Sequence, residues 1–146
     1  MAARKFVPDT ENTVLNFLET ASELERRLDR ALAIRGISFS EYRLLRTLSA
    51  SGSAGSPRIE LAAAVGLTPS AITRALKPLE KLGYVTTIRN ERDARQSLGA
   101  ITAAGERLLK DARNVLAGVL SDLTINTLGE QQITDFERRL QELRIR

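Results

Sequence analysis

The chain contains neither cysteine nor histidine, and these two absences exclude a good deal of chemistry. Without cysteine there is no disulfide framework, no thiol redox switch and no thiolate metal site. Without histidine the commonest zinc ligand, the usual general base near neutral pH, and the Ser-His and Cys-His nucleophile pairs are all missing. Lysine, tyrosine and carboxylates remain, but no group of them has a recognisable catalytic spacing, so an enzyme is the least favoured class. No cofactor or metal site is expected. Residues 1–8 lack the apolar core of a signal peptide, and no apolar run approaches the roughly 20 residues of a membrane span. A cytoplasmic protein with no membrane partner is expected. The sequence also lacks internal repeats and low-complexity tails.

What is present suits one cored domain: 146 residues, 42% of them hydrophobic. Lysine and arginine number 22 against 18 acids, for a net charge of +4, which permits a polyanionic partner. The distribution says more than the total. Residues 68–97 hold Arg74, Lys77, Lys81, Arg89, Arg92 and Arg95 against Glu80, Glu91 and Asp93, whereas residues 9–35 hold six acids against four bases.

The positive stretch opens on Leu67-Thr68-Pro69-Ser70-Ala71-Ile72-Thr73-Arg74-Ala75-Leu76. Thr68 can cap a helix, and Pro69 suits its first position because an orphan N–H is missing there anyway. Helical spacing brings Ser70, Thr73, Arg74 and Lys77 to one face at i, i+3, i+4 and i+7, and puts Ile72, Leu76, Leu79 and Leu82 on the other. Small hydroxyls beside Arg and Lys suit base edges and phosphates. An ordinary solvated helix face would also carry these residue types, so the flanking elements must decide between the two.

Upstream, residues 10–35 repeat apolar side chains at Val14, Phe17, Leu18, Ala21, Leu24, Leu28, Ala31 and Leu32, the three-four spacing of an amphipathic helix that Gly36 ends. Ser40 is expected to cap a second helix carrying Tyr42, Leu44, Leu45 and Leu48. Residues 49–56 are small and poor in apolar bulk, which predicts a flexible loop. Ser56-Pro57 then opens a third helix, whose expected buried side is Ile59, Leu61, Ala62 and Val65, closed by Gly66 in the left-handed conformation. Only a short turn separates Gly66 from Pro69, which is the arrangement of a helix-turn-helix.

Beyond Gly83 the period changes to two in Tyr84-Val85-Thr86-Thr87-Ile88, and a second strand is expected at residues 98–101. The charged segment between them, residues 89–97, reads as the tip of a hairpin wing. Thr102 caps a long helix with apolar positions Leu108, Ala112, Val115, Val119 and Leu123. After Gly129 a last helix follows with Ile133, Phe136, Leu140 and Leu143. Long apolar stripes on the terminal helices need cover, and a partner subunit is one way to supply it. The expected fold is mainly α with a small β-wing.

Four fragments in this order, namely Leu67-Thr68-Pro69-Ser70-Ala71-Ile72-Thr73-Arg74, Leu79-Glu80-Lys81-Leu82-Gly83-Tyr84-Val85, Arg92-Asp93-Ala94-Arg95 and Ile101-Thr102-Ala103-Ala104-Gly105, resemble the MarR family of bacterial transcription regulators. The resemblance implies a single chain, 1–146, with a winged helix-turn-helix over residues 40–101 and dimerisation helices over 10–35 and 102–146. It implies a homodimeric repressor that binds double-stranded DNA at a palindromic operator and is released by a small organic effector. Ser70, Thr73, Arg74 and Lys77 match the family's positions facing the major groove, where the Arg74 guanidinium can bridge O6 and N7 of guanine. Arg95 matches the wing arginine that enters the minor groove, and Asp93 the acid that holds it; a surface ion pair of little consequence is the competing interpretation. Arg89 and Arg92 are candidates for DNA backbone contacts. The effector cavity implied by the resemblance lies between the dimer helices and the winged region, for a small aromatic or anionic compound. The lack of Cys and His argues against thiol-oxidation or histidine-rich zinc sensing.

Two departures from the family pattern carry expectations. Pro78 inside the predicted recognition helix removes one backbone hydrogen bond, so a bend is expected there. Gly99-Ala100 replaces β-branched residues and predicts a looser wing strand. The alternative function is a winged-helix module that docks on a protein without DNA specificity, since fold does not fix function.

Overall fold

Helix α1, Thr10–Leu32, starts on an aspartate cap: the Asp9 side chain accepts from the Glu11 backbone N–H. A 3-10 turn, Ala33–Arg35, extends it to Gly36, which ends it in the left-handed conformation at φ 71°. The computed structural model describes residues 9–93, 95–123 and 128–143. Ala94 of the wing motif, residues 1–8 and the parts of the proposed C-terminal helices at 124–127 and 144–146 therefore lie outside the described residues.

Helix α2, Phe39–Ser51, begins two residues earlier than the sequence suggested, because Ser38 and not Ser40 is its cap. Ser38 Oγ accepts from the Glu41 N–H and the Glu41 carboxylate accepts from the Ser38 N–H, a reciprocal pair that Ser40 has no partner to form. The small-residue stretch is not a loop throughout. α2 runs on to Ser51, a 3-10 turn covers Gly52–Ala54, and Ser56–Pro57 forms a short strand, β1. The Ser51 and Ser56 hydroxyls, 2.5 Å apart, satisfy each other where Ser56 is buried.

Helix α3, Arg58–Val65, and helix α4, Pro69–Lys81, are followed by strands β2, Val85–Arg89, and β3, Ser97–Ile101, then by α5, Ala103–Ser121, and α6, Glu130–Leu143. The sheet is antiparallel in the order β1-β3-β2. The architecture is thus mainly helical with a small wing.

One apolar core joins α1 to α5: Leu32, Leu44, Leu45, Leu48, Leu61, Ile72, Leu76, Leu79 and Leu109 are all fully buried. Each such side chain contributes about 1.5–3 kcal/mol relative to exposure. Gly99 is not a weak point in β3. It pairs with Ser56 on one side and Thr87 on the other, and its lack of a side chain seats the strand against Leu48, Leu61 and Leu76. Ile59 and Leu82, expected in the core, are 66% and 61% exposed because the buried stripe has rotated away by the ends of their helices. α5 buries Leu109 and Leu116 as well as Leu108 and Ala112, while Val115, Val119 and Leu123 are half-buried.

Candidate nucleic-acid interface

The turn between α3 and α4 is three residues long and each has a physical role. Gly66 adopts φ 69°, which only glycine reaches without cost, and lets the Leu67 N–H close on the Ala62 carbonyl at 3.0 Å. Thr68 then caps α4, its Oγ1 accepting from the Ala71 N–H at 3.2 Å, with Pro69 in the first helical position. These constraints fix the crossing of the two helices.

α4 buries Ile72, Leu76 and Leu79 and leaves Ser70, Arg74 and Lys77 exposed, with Thr73 half-buried at the edge of that face. The structure thus brings together the four residues predicted to share a side. Thr73 Oγ1 donates back to the Pro69 carbonyl at 3.1 Å, and Ser70 Oγ lies 3.2 Å from Thr68 Oγ1, so both hydroxyls sit in defined places with acceptor capacity left over. The ion pairs among the described residues are confined to α1 and α6, so Arg74 and Lys77 carry uncompensated charge. Pro78 does not end the helix: α4 continues through it to Lys81, which keeps Lys77 within the helical face. The C-terminus closes in a Schellman arrangement in which Gly83 and Tyr84 donate to the Glu80 and Leu79 carbonyls.

The wing follows at once. Asn90 and Gln96 shut the hairpin twice, through backbone N–H to carbonyl at 3.1 Å and side-chain amide to amide at 2.8 Å. Beyond them Asn90 Oδ1 accepts from the Arg92 N–H and Asp93 Oδ1 from the Arg95 N–H, each at 3.0 Å. The carboxylate therefore holds Arg95 by its backbone amide; a carboxylate–guanidinium pair, the contact expected from the sequence, is absent among the described residues. Arg89, Arg92, Asp93 and Arg95 are all exposed, and Arg89 and Arg95 border the same surface groove. A narrow hairpin carrying unpaired guanidinium groups can enter a groove of negative potential.

A cavity of about 540 Å³ lies between α1, α2 and α5, where the resemblance implied one, with a lining that the sequence did not reveal. Leu28, Leu116 and Leu120 form its apolar part. Phe39 and Tyr42 stack with ring centroids 6.0 Å apart, and Arg43, Arg46 and Arg113 supply positive charge. Its residues come from three helices far apart in the chain, so no local pattern marks them.

A sequence model of the MarR family matches residues 37–97. The chain is 30% identical over 120 residues to the HTH-type transcriptional repressor Rv2887 of Mycobacterium tuberculosis, covering 82% of this chain and 84% of that protein. Among solved structures, a MarR family transcriptional regulator from Rhodococcus sp. RHA1 superposes with a TM-score of 0.79 at 22% identity, covering 94% of this chain and 96% of the other. CouR from Rhodococcus jostii RHA1, bound to p-coumaroyl-CoA, superposes with a TM-score of 0.78 at 24% identity, covering 92% of each chain.

Proposed function

The chain belongs to the MarR family, and we propose that this DNA-binding transcriptional regulator works as a homodimeric repressor whose α4 helices and wings read an inverted-repeat operator. The observation that carries this is the single surface formed by Ser70, Thr73, Arg74 and Lys77 on α4, followed by the cationic hairpin of Arg89, Arg92 and Arg95. Every one of these cations is free of an ion pair among the described residues. Unpaired positive charge along a helix and a hairpin suits a duplex, whose phosphates supply the complementary charge.

Dimerisation is supported by the terminal helices. Val14, Leu15, Phe17 and Leu18 of α1 and Phe136 and Leu143 of α6 are exposed in the single chain, and α6 buries no residue at all. An apolar area of that kind is covered by a second copy when the two-fold axis passes between the helix pairs. We accordingly assign residues 10–35 and 102–146 to dimerisation and 40–101 to DNA binding.

The cavity between α1, α2 and α5 supports release by a small aromatic or anionic compound, in keeping with the p-coumaroyl-CoA held by CouR. α5 joins this cavity to the wing root, since Arg113 and Leu116 line the one while Thr102 and Gly105 touch Gly83 and Tyr84 at the other. An effector acts through α5 if it binds better to an arrangement that misplaces the wings.

Arg74 tests the specific part of this function. Arg74→Ala is expected to relax preference at particular base positions, costing about 1–3 kcal/mol per half-site against the preferred duplex and much less against mismatched ones. Competition gel shifts with single-base variants of the duplex check this; an equal loss on every sequence would make Arg74 a phosphate contact.

A further inference from the structure

Two side chains tie the wing to the helix-turn-helix, one to each strand. Thr87, at the middle of β2, donates its hydroxyl to Oε1 of Glu80 in the last turn of α4. Ser97, the first residue of β3, receives Nη1 of Arg58, the first residue of α3, on its Oγ and, at 3.5 Å, on its carbonyl. Arg58 is half-buried, and its Nε is buried with no hydrogen-bond partner among the described residues. Leaving that N–H unpaired costs free energy, so the guanidinium is held here at some expense to stability. Arg95 precedes the Ser97 anchor by two residues, and Arg89 follows the Thr87 anchor by two.

We propose that Glu80 and Arg58 are positioning residues that hold the wing, and with it Arg95, at a fixed place relative to the recognition helix. This rests on the assignment of Arg95 to DNA. Glu80 makes the proposal sharp because its charge and its hydrogen bond pull in opposite directions. An acid beside a DNA-reading helix repels phosphates, so loss of its charge alone strengthens binding. Loss of its bond to Thr87 frees the wing and weakens it.

Glu80→Gln removes the charge and keeps an acceptor oxygen for Thr87, whereas Glu80→Ala removes both. The two variants, in the full-length protein, are titrated against a duplex carrying the inverted repeat recovered from a random pool. The titrations are then repeated in an Arg95→Ala background. Glu80→Ala is expected to bind roughly tenfold more weakly than Glu80→Gln, as for one neutral hydrogen bond lost from each subunit. In the Arg95→Ala background the ratio should fall to about one, because a wing without its arginine has nothing to place. Arg58→Ala, where it folds, should show the same collapse, and Thr87→Val, which loses the bond but keeps the Glu80 charge, should bind no better than Glu80→Ala. A ratio near one with Arg95 present would overturn the proposal. So would a ratio that survives Arg95→Ala, which would put the effect in α4 or in stability. If Arg95→Ala alone left binding unchanged, the wing contact itself would fail and this proposal with it.

Discussion

Arg95→Ala is expected to weaken binding to the preferred duplex by about 10²-fold or more and to leave the fold intact. A groove-bound arginine is worth about 1–3 kcal/mol, and a two-fold symmetric complex loses two of them. Each lost contact also retains about one more counterion on the DNA, so the slope of log K against log salt should flatten by about two per dimer. Arg95 is exposed and its side chain has no ion-pair partner among the described residues, so thermal stability should shift by no more than about 0.5 kcal/mol. Filter binding or fluorescence anisotropy across a salt series reads both affinity and slope. If both match the parent protein, the hairpin tip is not in the groove. Asp93 belongs to the same element: its carboxylate fixes the Arg95 amide at 3.0 Å, so it acts on where the arginine sits.

The largest effect on stability is expected from Gly105→Ala. Alanine inside a helix normally stabilises by about 1 kcal/mol over glycine. Here a Cβ would stand 2.1 Å from the Tyr84 carbonyl oxygen and 2.7 Å from Ile101 Cγ1. The carbonyl belongs to the backbone and is already engaged by the Thr102 N–H at 3.0 Å, so it has little room to yield. Thr102 closes the same joint, donating its hydroxyl to the Gly83 carbonyl at 2.6 Å while accepting from the Gly105 N–H at 3.1 Å. The methyl group must push α5 off the wing root. The cost is about 3 kcal/mol, at the upper end for overpacking, and Tm should fall by about 10 °C. Thermal melting followed by circular dichroism decides it. A Tm equal to or above the parent's would mean that α5 does not rest on Tyr84 this closely.

Much of this was legible because it is local. The helical face of α4, its Thr68 cap, the left-handed Gly66 and the Thr102 cap depend on residues within one or two turns of each other, and the chain order states them directly. The cap of α2 was misread as Ser40, although Ser38-Phe39-Ser40-Glu41 carries the capping-box spacing that marks Ser38. What escaped depends on distant neighbours. β1 has two residues, too few to show a period of two, and exists because Ser56 and Pro57 meet Gly99 and Leu98 across the sheet. Gly99-Ala100 read as a looser stretch of wing strand, whereas β3 is the central strand and Gly99 lies against Leu48, Leu61 and Leu76, which only the fold brings together. The Glu80–Thr87 and Arg58–Ser97 ties and the triple-arginine cavity are of the same kind.

Selection of bound sequences from a random duplex pool by the full-length protein is the most direct measurement of what this molecule reads. Two subunits presenting α4 and the wing about a two-fold axis should recover an inverted repeat with half-sites centred about one helical turn, 10–10.5 bp, or a whole multiple apart. A pool that yields no enriched sequence, or one enriched for a motif without two-fold symmetry, would contradict it.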